Sequence, residues 1–167
     1  MVYWAAVQNQ ERFRELAAVI GFGPADEALL SKVRPLVEPG FGAMTTELLG
    51  VLLKHPPMAP LLNGASGEDA RQRLQVWVEG IFSGRYDAEW IAGRTALGKH
   101  LFHAKLRLGE LVSATSALRV RVEGLLRHAT VRAGWSDHEQ QQAIAALDEI
   151  LDLELALILE GYTGSIR

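Results

Sequence analysis

Apolar residues recur along this chain at spacings of three and four, the period of a helix with one buried face. Phe13, Leu16, Ala17 and Ile20 mark a first helix over about residues 3–20, closed by Gly21 and Gly23. Pro24 suits the first turn of a second helix over about 24–37, which Pro39 and Gly40 then break. A third carries Phe41, Met44, Leu48, Leu49, Leu52 and Leu53 and stops at His55-Pro56-Pro57; residues 58–66 read as a short irregular crossing. Leu74, Trp77, Val78 and Ile81 lie on one face of a fourth helix, from about Glu68 to Phe82. Ser83-Gly84-Arg85-Tyr86-Asp87 reads as a turn whose Asp87 caps a fifth helix. The fifth carries Trp90, Leu97, Leu101, Ala104 and Leu108, with its break expected at Gly109. A sixth helix spans about 110–133, and Gly134 closes it. Ser136 with Glu139 forms a capping box for the last. No segment reads as a strand, so the pattern predicts an all-α domain of about seven helices.

The last helix changes character along its length. Ile144, Leu147, Ile150 and Leu151 form one stripe, but Leu153-Glu154-Leu155-Ala156-Leu157-Ile158-Leu159 is apolar nearly all round. Such a helix is covered on every side. Either it is the central helix of the domain, or a second copy covers the face that the core leaves open. Asp148, Glu149, Asp152, Glu154 and Glu160 make it acidic, whereas Arg119, Arg121, Arg127 and Arg132 make its predecessor basic. That contrast favours a homodimer with a four-helix interface built on the last two helices. Leu151, Leu155, Ile158, Leu159 and Tyr162 are the expected seam.

Composition narrows the function by exclusion. With 49% hydrophobic and 22% charged residues in 167, the chain is ordinary globular material for one domain. A net charge of −3 gives no reason to expect nucleic acid as a partner. No apolar run approaches the ~20 residues of a membrane span, and no secretory signal opens the chain. Zero cysteines remove disulfides, thiolate metal sites and cysteine nucleophiles together, and a cytoplasmic protein is the simplest expectation. No G-x-S-x-G, P-loop, dinucleotide fingerprint or H-E-x-x-H occurs, so no enzymatic activity is expected. Among five histidines, His100 and His103 stand apart because they lie three apart on one side of the fifth helix.

The run Trp77-x4-Phe82-Ser83-Gly84-x-Tyr86-Asp87-x2-Trp90-x3-Arg94-x2-Leu97-Gly98 resembles the globin-coupled sensor or protoglobin family. There, an aromatic, Phe, Gly, Tyr, Asp series precedes Arg-x-x-Ile-Gly and then the histidine that holds haem iron. The closing Leu151-Asp152-Leu153-x-Leu155-Ala156-Leu157-x-Leu159-Glu160-x-Tyr162 is also similar, and the likeness extends over about residues 25–162. It implies a globin-like fold in a single domain, residues 1–167, with an extension helix at 1–23 and a globin core at 24–162.

The resemblance further implies a haem b cofactor, a diatomic gas or redox signal, and a following or separate output domain. Counted without gaps from Gly98, the ligand position holds Leu101. Yet His103-Ala104-Lys105-Leu106-Arg107-Leu108-Gly109 resembles the family from its ligand onward, which makes His103 the expected iron ligand and His100 the second candidate. Leu49, Leu53, Trp77, Phe82 and Leu106 are the other expected cofactor contacts. Leu49 stands where many relatives carry a tyrosine, and it has no hydroxyl to donate. The alternative is a haem-free sensor of the same fold that binds a protein or an apolar ligand.

Overall fold

The computed structural model describes residues 2–58, 61 and 67–166, with side chains from residue 9 to 165. Among these, every regular element is helical. The helices are α1 (Val2–Ile20), α2 (Pro24–Val37), α3 (Phe41–Leu52), α4 (Gly67–Ile81), α5 (Ala88–His103), α6 (Leu108–Arg132) and α7 (Asp137–Thr163). Short 3-10 turns cover Glu38–Gly40, Pro56–Met58 and Gly164–Ile166. Apart from Met58 and Leu61, the crossing expected at 58–66 lies outside the described residues.

Local chemistry sets most of the boundaries. Asp26 accepts the Gly23 N–H at 2.9 Å ahead of Pro24, and Asp87 accepts the Trp90 N–H at 3.1 Å. The Ser136 hydroxyl accepts the Glu139 N–H at 3.3 Å, while the Glu139 carboxylate accepts the Ser136 N–H at 2.8 Å. These reciprocal bonds satisfy amide donors that have no partner inside the helix.

One boundary differs from the sequence expectation. Helix α5 ends at His103 rather than near Gly109. Lys105 turns left-handed (φ 61°), and the N–H groups of Lys105 and Leu106 bond back to the Phe102 and Leu101 carbonyls at 2.9 and 3.1 Å. This closure stops the helix and drops Leu106 into a fully buried cluster with Leu101, Leu111 and Ile158. Leu108, the next step of the apolar series, is exposed and begins α6 instead. Burial of Leu106 outweighs continued helical periodicity.

Helix α7 is the centre of the molecule and packs against α1, α2, α4, α5 and α6. Its crossing with α5 is the closest. A β-carbon built on Gly98 would lie 1.9 Å from the Ile158 carbonyl oxygen, and one on Gly161 2.0 Å from that of Thr95. Two glycines thus let the backbones touch. Helix α1 closes the α5–α7 side: Phe13 meets Tyr86 and Trp90, and Arg12 pairs with Glu160 at 2.6 Å.

The central position accounts for much of the apolar girth of α7 without a second copy. Leu151 and Ile158 are buried within the protomer and serve its own core rather than a seam. Leu155, Leu159 and Tyr162 keep partial exposure, and the Tyr162 hydroxyl donates to the Leu106 carbonyl at 2.6 Å. The charge contrast between α6 and α7 is also partly used internally, because Arg119 pairs with Asp148 at 2.8 Å and with Asp152.

Candidate functional site

A cavity of about 280 Å³ lies between α3, α4, α5 and α6. Leu48 and Leu52 of α3, Leu74 and Trp77 of α4, Leu97 of α5, Ala114 and Leu118 of α6, and Leu61 supply its apolar walls. The ionisable groups on its lining are Arg73, Arg94 and His100. Its size falls just below the ~300–1,000 Å³ usual for ligand pockets.

Of the residues expected at a cofactor, Trp77 and His100 reach this cavity; the other five do not. Leu49 is buried beside it and Leu53 is 60% exposed, because the cavity face of α3 is the Leu48–Leu52 row, one residue or about 100° away. Phe82 is fully buried and stacks on Phe41 at 5.7 Å. Leu106 fills the separate cluster under the α5–α6 corner. His103 is exposed at the end of α5, its ring edge-on to Phe102. Gly93, Leu97 and His100 follow one another by four and three residues, so His100, itself exposed, continues the row that borders the cavity.

Neither Thr45 nor Thr46 presents a free hydroxyl from α3. Thr45 donates to the Phe41 carbonyl and Thr46 to the Gly42 carbonyl, both at 2.8 Å. The α3 wall is therefore hydrocarbon.

Arg94 has a different environment from the rest of the lining. Its Nε donates to Glu154 on α7 at 2.6 Å, with the side chains only 14% and 3% exposed. The guanidinium lies over the Trp90 ring at 4.6 Å. Burial pushes the Glu154 carboxyl upward, and Arg94 with the Trp77 indole opposes that shift. A buried pair of this kind adds little net stability but is costly to break, since one charge would be left alone in a poorly solvated interior. In sequence Glu154 is one more acidic position on the last helix; its partner is 60 residues away, and no local pattern announces such a contact.

The donor set suits a haem better than a bare cation. Among the described residues no group of three His, Cys, Asp or Glu side chains is placed to hold a metal ion. One imidazole on an apolar wall matches a metal that arrives within a flat apolar macrocycle.

The family model described as Protoglobin matches residues 9–165 of this chain. No curated protein matches it. Among solved structures, the globin domain of the Geobacter sulfurreducens globin-coupled sensor is similar, with a TM-score of 0.77 and 22% sequence identity. That match covers 89% of this chain and 96% of the other.

Proposed function

Because this chain belongs to the protoglobin family, we propose that it is a haem-binding sensory globin domain that reports a diatomic gas or redox state. The observation that carries the proposal is the single imidazole, His100, on the lining of an otherwise largely apolar cavity. The haem, when bound, supplies an iron centre that takes a diatomic ligand or changes oxidation state. His100 would hold the iron through its imidazole, and Leu48, Leu52, Leu74 and Trp77 would keep water from the site. The α3 wall offers a gas molecule hydrocarbon rather than a hydrogen-bond donor. His103 is the reserve ligand, favoured by the run that follows it in sequence but placed away from the cavity.

On this reading the domain is an input module and not a catalyst. It works in the cytoplasm and passes its signal to an output domain, covalently attached or separate. Among the described residues no helix is long and apolar enough to cross a membrane. Haem-free sensing is the second reading, favoured by one observation: Leu101, at the ungapped ligand position, is fully buried in the Leu106–Leu111–Ile158 cluster and gives iron nothing. Reconstitution of the purified chain with haem separates the two. An intense Soret band that survives gel filtration is expected, and a colourless protein would leave the haem-free sensor standing.

We also propose that the signal passes through a homodimer formed on α6 and α7. Val112 (45% exposed) and Val120 (69% exposed) are large apolar residues turned outward on α6. Val112 borders a cleft shared with the half-buried Leu155 of α7. Val112→Glu places a charge on each side of that seam without entering the protomer core, so it should yield monomers. Light scattering at about ten micromolar protein checks this: a monomeric wild type would remove the dimer from the proposal.

A further inference from the structure

The cavity lining divides by burial into two chemistries. Leu48, Leu52, Ala70, Leu74, Ala114 and Leu118 are at most 8% exposed, and all six are hydrocarbon. The charged lining residues are not part of that interior. Arg73 and His100 are exposed, and Arg94 turns its guanidinium to Glu154 and the Trp90 ring. On α3 the Thr45 and Thr46 hydroxyls are held by backbone carbonyls. A ligand that brings a charge or a hydrogen-bonding group into the interior gives up its bonds to water and finds no replacement. A hydrocarbon gives up none. Volume then sets the size. An engineered apolar cavity of about 150 Å³ stays dry and takes up benzene. The cavity here, about 280 Å³, is roughly twice as large, the space of two fused rings. Trp77, also on the lining, offers an indole against which a flat aromatic molecule packs by its face or edge.

We propose that this cavity binds a small, uncharged aromatic molecule of two fused rings. The proposal rests on the second reading above, the haem-free sensor of an apolar ligand, and it names the class of that ligand. Size and polarity both select. A charged aromatic is refused by the hydrocarbon interior, and a larger ring system exceeds the volume between α3, α4, α5 and α6. The walls that hold the two-ring molecule, Leu48, Leu52, Leu74 and Trp77, are those named for the haem reading, so the two occupants exclude each other.

The test is a calorimetric titration of the purified full-length chain with naphthalene, repeated after addition of haem. Wild type should bind naphthalene with a dissociation constant on the order of ten micromolar, and should melt at a higher temperature in its presence. Ala114→Phe puts a phenyl ring into the space claimed for the ligand and should weaken naphthalene at least about tenfold. Nuclear Overhauser contacts locate the ligand in wild type without any substitution: naphthalene protons should reach the methyl groups of Leu74 and Leu118. Contacts to other methyl groups only, or equal binding by a folded Ala114→Phe, would overturn the proposal. Uptake of haem, with naphthalene bound at Leu74 and Leu118 and displaced by it, defeats the haem-free reading but leaves the two-ring ligand standing. Uptake of haem without any binding of naphthalene defeats both. If neither binds, the two-ring ligand is overturned, and the haem-free sensor survives as a protein-interaction module.

Discussion

Gly98→Val should lower the melting temperature by at least about 10 °C, a larger effect than any surface change in this chain. A β-carbon at this position falls 1.9 Å from the Ile158 oxygen and 2.8 Å from the Tyr162 nitrogen, both backbone atoms of α7. No rotamer change relieves a clash with backbone. The two helices must move apart by roughly 1.5 Å to reach ordinary contact, and the gap opens along the most extensive helix–helix contact in the domain. Overpacking in cores costs about 1–3 kcal/mol when side chains can yield, and more when they cannot. For a domain this size each kcal/mol shifts the midpoint by about 2–4 °C. Gly161→Val should behave alike, since its β-carbon would meet the Thr95 carbonyl at 2.0 Å. Gly124→Ala on α6 is the control: nothing lies within 4 Å, and alanine should be neutral or mildly stabilising. Thermal melts of the three variants decide the matter, and a Gly98→Val midpoint within about 2 °C of wild type would contradict the crossing.

His100→Ala should abolish stable haem uptake, whereas His103→Ala should keep the Soret band. Both rings are exposed, but the first change removes the imidazole on the cavity lining and the second removes one that packs against Phe102 off that lining. With His100 gone, the described lining has no nitrogen or sulfur donor suited to iron, because a guanidinium is a hydrogen-bond donor with no acceptor site to offer. Apolar contact alone would retain haem weakly. Imidazole added to His100→Ala should restore part of the absorbance by occupying the vacated space. Spectra after reconstitution and gel filtration give the answer. Loss of haem in His103→Ala with retention in His100→Ala would mean that α5 turns on its axis when the cofactor binds, and would return the ligand to the residue favoured by sequence.

The disagreement between these histidines shows what sequence can decide. The small-basic-leucine run after His103 is real sequence information, but it sets the helix break at Gly109, whereas α5 ends at His103. It does not report helical phase. Phase follows from which residues of α5 bury: Leu101 points to the Leu106–Leu111–Ile158 cluster, Gly98 is pinned against α7, and the Gly93–Leu97–His100 row is left for the cavity. Leu49 and Leu53 fall off the cavity lining for the same reason. In α3 Leu48, Leu49, Val51 and Leu52 crowd into one turn, so periodicity does not tell the row facing the cavity from its neighbour.

By itself the sequence determined the helices, their caps and the family. These depend on short-range physics: the fixed φ of proline, the cap bonds that the Ser136 and Asp87 side chains accept from nearby amides, and repeats of three and four. It also determined that the last helix must be covered on every side, since so much hydrocarbon is costly to leave in water. Only the tertiary structure decided what does the covering. It gave most of that surface to α5 across a glycine–glycine contact and spent part of the α6–α7 charge contrast inside one protomer. It buried Glu154 against Arg94, which lines the cavity. Contacts between residues 60 apart depend on the relative rotation of packed helices, which is fixed by the sum of many small packing energies. No local stretch of sequence holds that sum.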